Sequence, residues 1–238
     1  PYIPKRVDEG HGLSLQAIDR LKDQGVSLII TVDCGITSVD EISYAKTLGI
    51  DTIVTDHHSP LNELPISTAN VNPQIAGHSY PFNGLSGVGL AFKLIQALYG
   101  NLGRDWNTQL LQLVAIGTIT DVAPLLDENR YIVTAGLDSM YRNPLPGLKA
   151  LLDLSRVKQG DKLDTHAISF SIGPLVNAPG RLGDAMKSYD ILTSDTNEQA
   201  SILAQEINQI NRTRRNMTQQ AMEIARTNIG TRDENEAI

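Results

Sequence analysis

Cysteine and aromatic residues are scarce in this chain. Its 238 residues include one cysteine, Cys34, with one tryptophan, three phenylalanines and seven tyrosines. A single cysteine excludes an intramolecular disulfide and fits the reducing environment of the cytoplasm. The aromatic side chains are scattered along the sequence, so no stacking platform for nucleobases is visible in it. We expect Cys34 to be a small buried neighbour within the fold.

The chain also lacks a long apolar run and an excess of basic residues. No segment is apolar for long enough to span a bilayer, so we expect no membrane association. The formal net charge is −7 and the isoelectric point is about 5.2. A protein that coats nucleic acid through charge alone is basic, which excludes that class. If this chain binds phosphates, clustered carboxylates that hold divalent cations are expected to supply the local attraction.

The first part of the sequence alternates between patterns typical of strands and of a helix. Residues 26–32 form a continuous apolar run, which predicts a strand buried on both faces. A helical pattern starts at Thr37 and stops at Gly49, and residues 51–55 form a second short apolar run. A strand–helix–strand unit predicts two parallel strands. The predicted fold class is therefore α/β, with a parallel β-sheet flanked by helices.

The remainder of the chain is predominantly helical by its apolar periodicity. A loop rich in proline and asparagine is predicted at residues 59–83. Helical patterns then cover residues 85–99, 106–119, 130–142 and 147–154. Residues 166–179 combine a short apolar run with a polar loop. A long amphipathic helix is predicted at residues 197–228, about 45 Å long at 1.5 Å per residue, followed by a polar tail.

Carboxylates and imidazoles follow both predicted strands. Asp33 comes directly after the first strand, and Asp56, His57 and His58 come directly after the second. Because ligands of parallel sheets gather at the carboxyl ends of the strands, we expect these side chains at one edge of the sheet. Divalent cations bind carboxylates, and manganese and zinc bind imidazole as well. Asp121, which follows the helix predicted at residues 106–119, is a further candidate ligand.

Each of these residues also has an ordinary structural explanation. A single aspartate at a strand end is usually a turn or helix-capping residue, and a single histidine is usually structural. An Asp-His-His sequence after one buried strand, with an aspartate after the neighbouring strand, is much less common by chance. Paired metal ions are a common device for phosphodiester hydrolysis, with activated water as the nucleophile. The pattern therefore favours a metal-dependent site.

Four segments resemble motifs of the DHH family of phosphoesterases, in the family's order. They are VDCG (32–35), VTDHH (54–58), GTITDVAPL (117–125) and NAPGRLGDA (177–185). The opening YIPKRVDEGHGL segment is similar to the family's single-strand DNA exonucleases, and the resemblance covers nearly the whole chain. It implies a parallel α/β domain, a pair of Mn²⁺ ions with Mg²⁺ as the alternative, and hydrolysis of phosphodiester or related bonds.

The resemblance also implies a catalytic set of five residues. Asp33 matches a ligand that bridges the two metals, whereas His57 and Asp121 match ligands of one of them. Asp56 and His58 complete the DHH motif. His58 is expected to face the scissile phosphate or to support the site.

Two arginines match residues that lie near DNA phosphates in the family, Arg6 and Arg181. A guanidinium fork suits that task, although a surface salt bridge is the alternative role for each. The glycines Gly180 and Gly183 favour a close backbone loop around Arg181, whereas the two roles are nearly balanced for Arg6. His11 has no metal-like spacing with the site, and we expect it to be an ordinary surface residue.

Two parts of the family pattern are absent from the sequence. The first motif, a DxD-type sequence that supplies further metal ligands, precedes the YIPKR-like segment in the family, and a DHH-associated C-terminal domain follows the long helix. We therefore predict a DHH phosphoesterase domain without its first-motif strand at residues 1–195. Residues 196–238 are predicted as the connecting helix and the start of a linker to a missing C-terminal domain. We expect the chain to be a fragment of a longer nuclease, weakly active or inactive by itself.

Three functions are compatible with these features. The leading hypothesis is a cytoplasmic 5′-to-3′ exonuclease on single-stranded DNA, in repair and recombination, with repair proteins as partners of the intact protein. The second is a DHH phosphoesterase that acts on oligoribonucleotides, cyclic dinucleotides or polyphosphate. The third is a non-catalytic binding module on the same fold, which the retained ligands disfavour.

Overall fold

A computed structural model describes residues 1–6, 9–155 and 163–230 of the chain. Its elements are α1 (Leu15–Asp23), β1 (Leu28–Val32), α2 (Val39–Thr47), β2 (Asp51–Thr55), β3 (Ala69–Val71), α3 (Gly87–Asn101), α4 (Leu110–Thr120), α5 (Asp127–Arg142), α6 (Pro146–Leu154), α7 (Thr165–Ala167), a π-helical turn (Ile168–Ile172), α8 (Gly173–Arg181), α9 (Met186–Leu192) and α10 (Asn197–Gly230). A sheet with helices is followed by a helical region, which confirms the predicted α/β class.

The strands form one parallel sheet in the order β1–β2–β3. β1 and β2 pair with Leu28 opposite Asp51 and Val32 opposite Thr55. The intervening helix α2 is followed by Gly49 at a φ of +71°, a left-handed conformation that favours glycine and turns the chain back towards β2. The predicted parallel strand–helix–strand unit is confirmed.

The third strand was not predicted. β3 lies inside the proline- and asparagine-rich segment 59–83 and pairs in parallel with β2, with Val71 opposite Thr55. Three residues are too few to show the two-residue alternation by which a strand is recognised in a sequence.

The prediction that β1 is buried on both faces is wrong. Leu28, Ile30 and Val32 are 45%, 47% and 51% exposed, whereas Ile29 and Thr31 are buried. One face of β1 packs with α1 and α2 in an apolar cluster. The other face carries the exposed side chains, because no helix among the described residues covers it along β1. An apolar run by itself therefore does not show how many faces of a strand are covered.

The helices α3 to α6 confirm the four helices predicted between residues 85 and 154. The largest displacement is at the start of α4, at residue 110 instead of 106. α4 lies at the centre of the helical region, with seven of its eleven residues buried. It approaches α5 closely, since a Cβ on Gly136 would lie 2.3 Å from the carbonyl oxygen of Leu111. This central helix ends at the candidate ligand Asp121.

Residues 165–181 are helical, which corrects the apolar run and polar loop predicted there. The segment passes from α7 through the π-helical turn into α8, although Pro179 stands inside α8. Proline inside a helix removes one hydrogen bond and is costly. Burial of Ile168, Ile172, Leu175 and Ala178, which recur at helical spacing, outweighs that cost.

The long helix predicted at residues 197–228 is confirmed as α10. Its first half packs on α6, α8 and α9 through the buried residues Ala200, Ala204 and Ile207. Beyond residue 214 its residues are exposed as far as their burial is described. The predicted polar tail at residues 231–238 lies outside the described residues. The domain boundary at residues 195 and 196 stays a prediction.

Candidate metal centre

The sheet register brings the two polar strand ends together. Val32 and Thr55 are paired, so Asp33 and Asp56 leave the sheet side by side. The backbone N–H of Asp33 donates to the carbonyl oxygen of Thr55 at 2.9 Å and extends the ladder by one residue. The predicted meeting of Asp33 with the Asp-His-His segment at one edge of the sheet is thus a feature of the structure.

Four side chains, those of Asp33, His57, His58 and Asp121, form the metal cluster, and His57 lies at its centre. Its Nε2 is 3.1 Å from Oδ1 of Asp33 and 3.6 Å from Oδ2 of Asp121. That nitrogen is buried and has no hydrogen-bond partner among the described residues. A buried polar atom without a partner is costly unless something else satisfies it. An imidazole nitrogen that faces two carboxylates in this way fits a divalent cation.

Asp121 reaches the cluster from the C-terminal end of α4. It caps that helix, and its N–H donates to the carbonyl oxygen of Gly117 at 2.9 Å. The next residue, Val122, has a φ of +57° and leaves the helix in a left-handed conformation. The negative end of the α4 dipole adds to the attraction for a cation at this point. Thr118 and Ser86 fix α4 to the start of α3 by a hydroxyl hydrogen bond of 2.9 Å.

Asp33 is held in a strained conformation beside the first residue of α3. Its φ is +64°, which is uncommon for a residue with a Cβ. A Cβ on Gly87 would lie only 2.2 Å from Oδ1 of Asp33, so the carboxylate occupies space that glycine alone leaves free. Burial raises the pKa of the Asp33 carboxyl, His57 opposes that rise, and the charge of Asp121 adds to it. A bound cation would relieve this repulsion between carboxylates.

Asp56 is a structural anchor, a role that the sequence did not reveal. It is buried, and its Oδ2 accepts from the N–H of Ile36 at 3.0 Å. Its Oδ1 accepts from the N–H groups of His57 at 2.8 Å and His58 at 3.2 Å. One carboxylate therefore joins the turn after β1 to the turn after β2. Both carboxylate oxygens of Asp56 are thus used to hold these two turns in place.

Asp56 also orients the second histidine. Its Oδ1 lies 2.7 Å from Nδ1 of His58, which leaves Nε2 of that ring for another partner. The hydrogen bond to Asp56 raises the pKa of His58, although partial burial opposes the rise. Asp33, His57 and His58 each offer a ligand atom within 4.8 Å of one another. The geometry thus brings His58 into reach of a metal, whereas the family resemblance implied that it faces the scissile phosphate or supports the site.

The cluster forms part of one cleft of about 1220 Å³. Both predicted phosphate-binding arginines, Arg6 and Arg181, line the same cleft as Asp33 and Asp121. Arg181 is the last residue of α8, so a helix end presents it and not the loop suggested by its glycines. Cys34 also lines the cleft, and burial raises the pKa of its thiol to about 11, so it stays protonated at neutral pH.

Sequence reasoning missed two ring side chains of this cleft, His11 and Tyr189. His11 lies in the YIPKRVDEGHGL segment but has no metal-like spacing, Tyr189 lies in no motif, and the two are far apart in the chain. Only folding shows that they share a cavity with the metal cluster.

A model of the "DHH family, N-terminal domain" matches residues 1–118. The chain is 46% identical over 216 residues to the single-stranded-DNA-specific exonuclease RecJ of Bacillus subtilis (strain 168), covering 91% of this chain and 27% of that protein.

The chain belongs to the DHH family.

Solved structures of RecJ agree with this assignment. The crystal structure of exonuclease RecJ bound to manganese matches with a TM-score of 0.82 and 33% identity, over 93% of this chain and 55% of that one. RecJ from Thermus thermophilus in complex with Mg²⁺ matches with a TM-score of 0.64 and 30% identity, over 87% of this chain and 30% of that one. The chain spans only part of its relatives: the match covers 27% of RecJ from B. subtilis and 40% of RecJ from Escherichia coli.

Proposed function

We propose that this DHH-family chain carries the metal-binding core of a nuclease that hydrolyses phosphodiester bonds in single-stranded DNA from the 5′ end. The observation that supports it most is the unpartnered Nε2 of His57 between the carboxylates of Asp33 and Asp121. The single-stranded DNA substrate rests on the names of the RecJ relatives. The direction of hydrolysis rests on the family resemblance of the sequence motifs.

The metal ligands in this proposal are Asp33, His57 and Asp121, with His58 as a further donor. A bound divalent cation would lower the pKa of a water molecule and offset the charge that develops on the phosphate. Carboxylates with imidazole suit Mn²⁺, and Mg²⁺ is the alternative. These donors suffice to hold one ion, and a two-metal site requires more carboxylates than the described residues place here.

Arg6, Arg181 and His58 contact the substrate in this proposal. Arg6 and Arg181 bind the phosphates next to the scissile bond through their guanidinium forks. His58, which Asp56 orients and whose pKa is raised, donates a hydrogen bond to the scissile phosphate when its Nε2 holds no metal. Asp56 keeps both histidines in place.

The cellular setting of this function follows the family. We propose action in the cytoplasm, in DNA repair and recombination, with repair proteins as further partners of a longer protein. No helix within residues 1–6, 9–155 and 163–230 is long and apolar enough to cross a membrane.

Release of nucleotides from a 5′-phosphorylated single strand tests the proposal. The chain is incubated with Mn²⁺ beside His57→Asn and, as a matched surface control, His78→Asn, whose histidine does not line the cleft. We expect slow release by the wild type and the control, and none by His57→Asn. Release that is equal in all three proteins contradicts the assignment of the site.

The same assay separates the competing functions. Release from inorganic polyphosphate or cyclic dinucleotides, without release from DNA, supports the small-substrate alternative. Absence of release from every substrate, together with DNA binding, supports a non-catalytic module.

A further inference from the structure

The cleft has two chemically different sides. One side carries Asp33, Asp56 and His58 from the sheet edge and Asp121 from the end of α4. The opposite side carries the apolar side chains Val176 of α8 and Leu192 of α9, with Ala185 before α9 and Tyr189 within it. Phosphate groups gain nothing from apolar surface, since burial of a charge against carbon is costly. The apolar side therefore fits a part of the substrate that is itself flat and apolar.

Tyr189 is the aromatic side chain on this side of the cleft. It lies in α9, is 37% exposed, and its hydroxyl has no hydrogen-bond partner among the residues that the structure describes. The residue before it, Ser188, donates its hydroxyl to the carbonyl oxygen of Val176 at 2.6 Å. That bond joins α9 to α8 beside the cleft that Tyr189 lines.

His11 contributes a second ring from the N-terminal segment. It stands between Gly10 and Gly12, whose φ values of +77° and +81° are left-handed and favour glycine. A Cβ on Gly12 would lie 3.6 Å from the Cβ of Cys34, so this turn rests against the turn that follows β1. His11 is exposed and faces the same cleft as Tyr189, Arg6 and Arg181.

We propose that Tyr189 and His11 form a nucleobase subsite, in which the base next to the bound phosphate stacks on one or both rings. The inference rests on the function proposed above and makes the substrate class more specific. A ligand that combines an anionic phosphate with a flat aromatic base matches a cleft with arginines and aromatic rings, and inorganic polyphosphate does not. Stacking accepts every base because each base has a π-face, so the subsite binds without sequence preference.

Abasic substitution tests the subsite. Binding of a 5′-phosphorylated, phosphorothioate-linked oligonucleotide to the full chain is measured by fluorescence anisotropy with Mn²⁺, with natural or abasic first nucleotides. The variants are Tyr189→Ala, Tyr189→Phe and His11→Ala. The control is Tyr141→Ala, whose tyrosine is 55% exposed outside this cleft.

Loss of stacking on an aromatic ring is expected to weaken binding about 10-fold, which corresponds to about 1.4 kcal/mol. We expect the wild type and Tyr141→Ala to bind the abasic strand about 10-fold more weakly than the natural one. Tyr189→Ala is expected to bind both strands equally weakly, Tyr189→Phe to behave as the wild type, and His11→Ala to show a reduced abasic penalty.

An abasic penalty that is unchanged in both Tyr189→Ala and His11→Ala overturns the subsite while leaving the proposed function intact. A second measurement uses tripolyphosphate or the unlabelled natural strand to displace the labelled oligonucleotide. If tripolyphosphate displaces it as well as the natural strand does, at equal concentration of phosphate groups, the subsite is overturned. A wild type that binds neither strand contradicts the proposed function and the subsite together.

Discussion

The two sides of the cleft differ in how firmly their polar side chains are held. On the sheet side, Asp56 alone accepts three backbone hydrogen bonds and orients His58, and the carboxylate of Asp33 lies directly against Gly87. On the helical side, the side chains of Arg181 and Tyr189 have no hydrogen-bond partner in the described part of the chain. The sheet side is thus built in advance for a small ion, whereas the helical side keeps side chains that can adapt to a longer ligand.

The strained backbone at Asp33 also lies on the sheet side of the cleft. Asp33 keeps its φ of +64° because Thr31 and Thr55 fix the turn around it. The hydroxyl of Thr31 donates to the carbonyl oxygen of Cys34 at 2.7 Å. The hydroxyl of Thr55 donates to the carbonyl oxygen of Thr31 at 2.5 Å. Strain of this kind costs of order 1–3 kcal/mol and is maintained only where surrounding bonds determine the conformation. Its location beside the metal cluster agrees with a site that must hold one carboxylate in a fixed place.

Among variants of residues that are not themselves ligands, the largest effect is expected from a methyl group added beside Asp33. In Gly87→Ala the new Cβ would lie 2.2 Å from Oδ1 of Asp33, so the carboxylate has to move out of the cluster. We expect Mn²⁺ affinity to fall about 100-fold, because displacement of a ligand costs at least as much as loss of its supporting contacts. Calorimetric titration measures this effect.

The same helix provides a matched control for Gly87→Ala. Gly100 also lies in α3, and a Cβ there meets nothing within 4 Å. Gly100→Ala is expected to leave Mn²⁺ affinity unchanged and to raise the free energy of unfolding by about 0.5–1 kcal/mol through helix propensity. Equal Mn²⁺ affinity in the two variants would show that Gly87 is not needed for the position of Asp33.

Asp56→Asn tests whether the anchor stabilises the sheet side without binding metal. An amide retains one acceptor oxygen and places N–H donors against the N–H of Ile36 or of His58. We expect the free energy of unfolding to fall by about 2–3 kcal/mol in urea titrations without metal, since bonds to a buried charge are lost. A loss that appears only when Mn²⁺ is present would instead indicate a ligand role for Asp56.

Arg181→Lys tests the helical side. Lysine keeps the charge but loses the planar fork, so we expect the KM for a 5′-phosphorylated strand to rise about 10-fold while Mn²⁺ affinity stays constant. Arg142→Lys is the control, because Arg142 pairs with Asp138 on the surface of α5, away from the cleft. A change in Mn²⁺ affinity in Arg181→Lys would contradict the separation of the two sides.

The smallest effect is expected away from the residues that line the cleft, where Glu128 pairs with Lys93 at 2.5 Å and accepts a hydrogen bond from the hydroxyl of Tyr80 at 2.5 Å. Burial raises the pKa of Glu128, but the bonds from Lys93 and Tyr80 outweigh it and lower the pKa below the ordinary value. The stabilisation is therefore present above the unfolded pKa of about 4.3 and is lost as the pH falls through the folded pKa.

We expect Glu128→Gln to lower the free energy of unfolding by about 1 kcal/mol at pH 7, a small value because both charged groups are one-third exposed and screened by solvent. At a pH below the folded pKa of Glu128, the difference between variant and wild type should vanish. A difference that grows on acidification would reverse the sign of this pKa shift. The measurement is urea unfolding of both proteins at several pH values.

The meeting of Asp33 with the Asp-His-His segment could be predicted from the sequence, because the order of strands and helix along the chain determines it. Two short apolar runs separated by one helix form parallel strands, and the polar residues after them meet at one edge. The features that were not predicted depend on tertiary packing. Burial of Ile168 and Ile172 stabilises a helical segment that continues through Pro179. The exposure of one face of β1 depends on which elements cover the sheet. The shared cavity of His11 and Tyr189 has no sequence signal, since it depends on contacts between distant elements.

The most direct test of the metal centre is calorimetric titration of Mn²⁺ into the chain beside Asp33→Asn. Asparagine tolerates the left-handed conformation of residue 33, so the variant removes the charge with little change in the backbone. We predict that one Mn²⁺ binds to the wild type and that its affinity falls about 100-fold or more in Asp33→Asn. Equal affinity in the two proteins, or no binding to the wild type, would contradict a metal centre at this edge of the sheet.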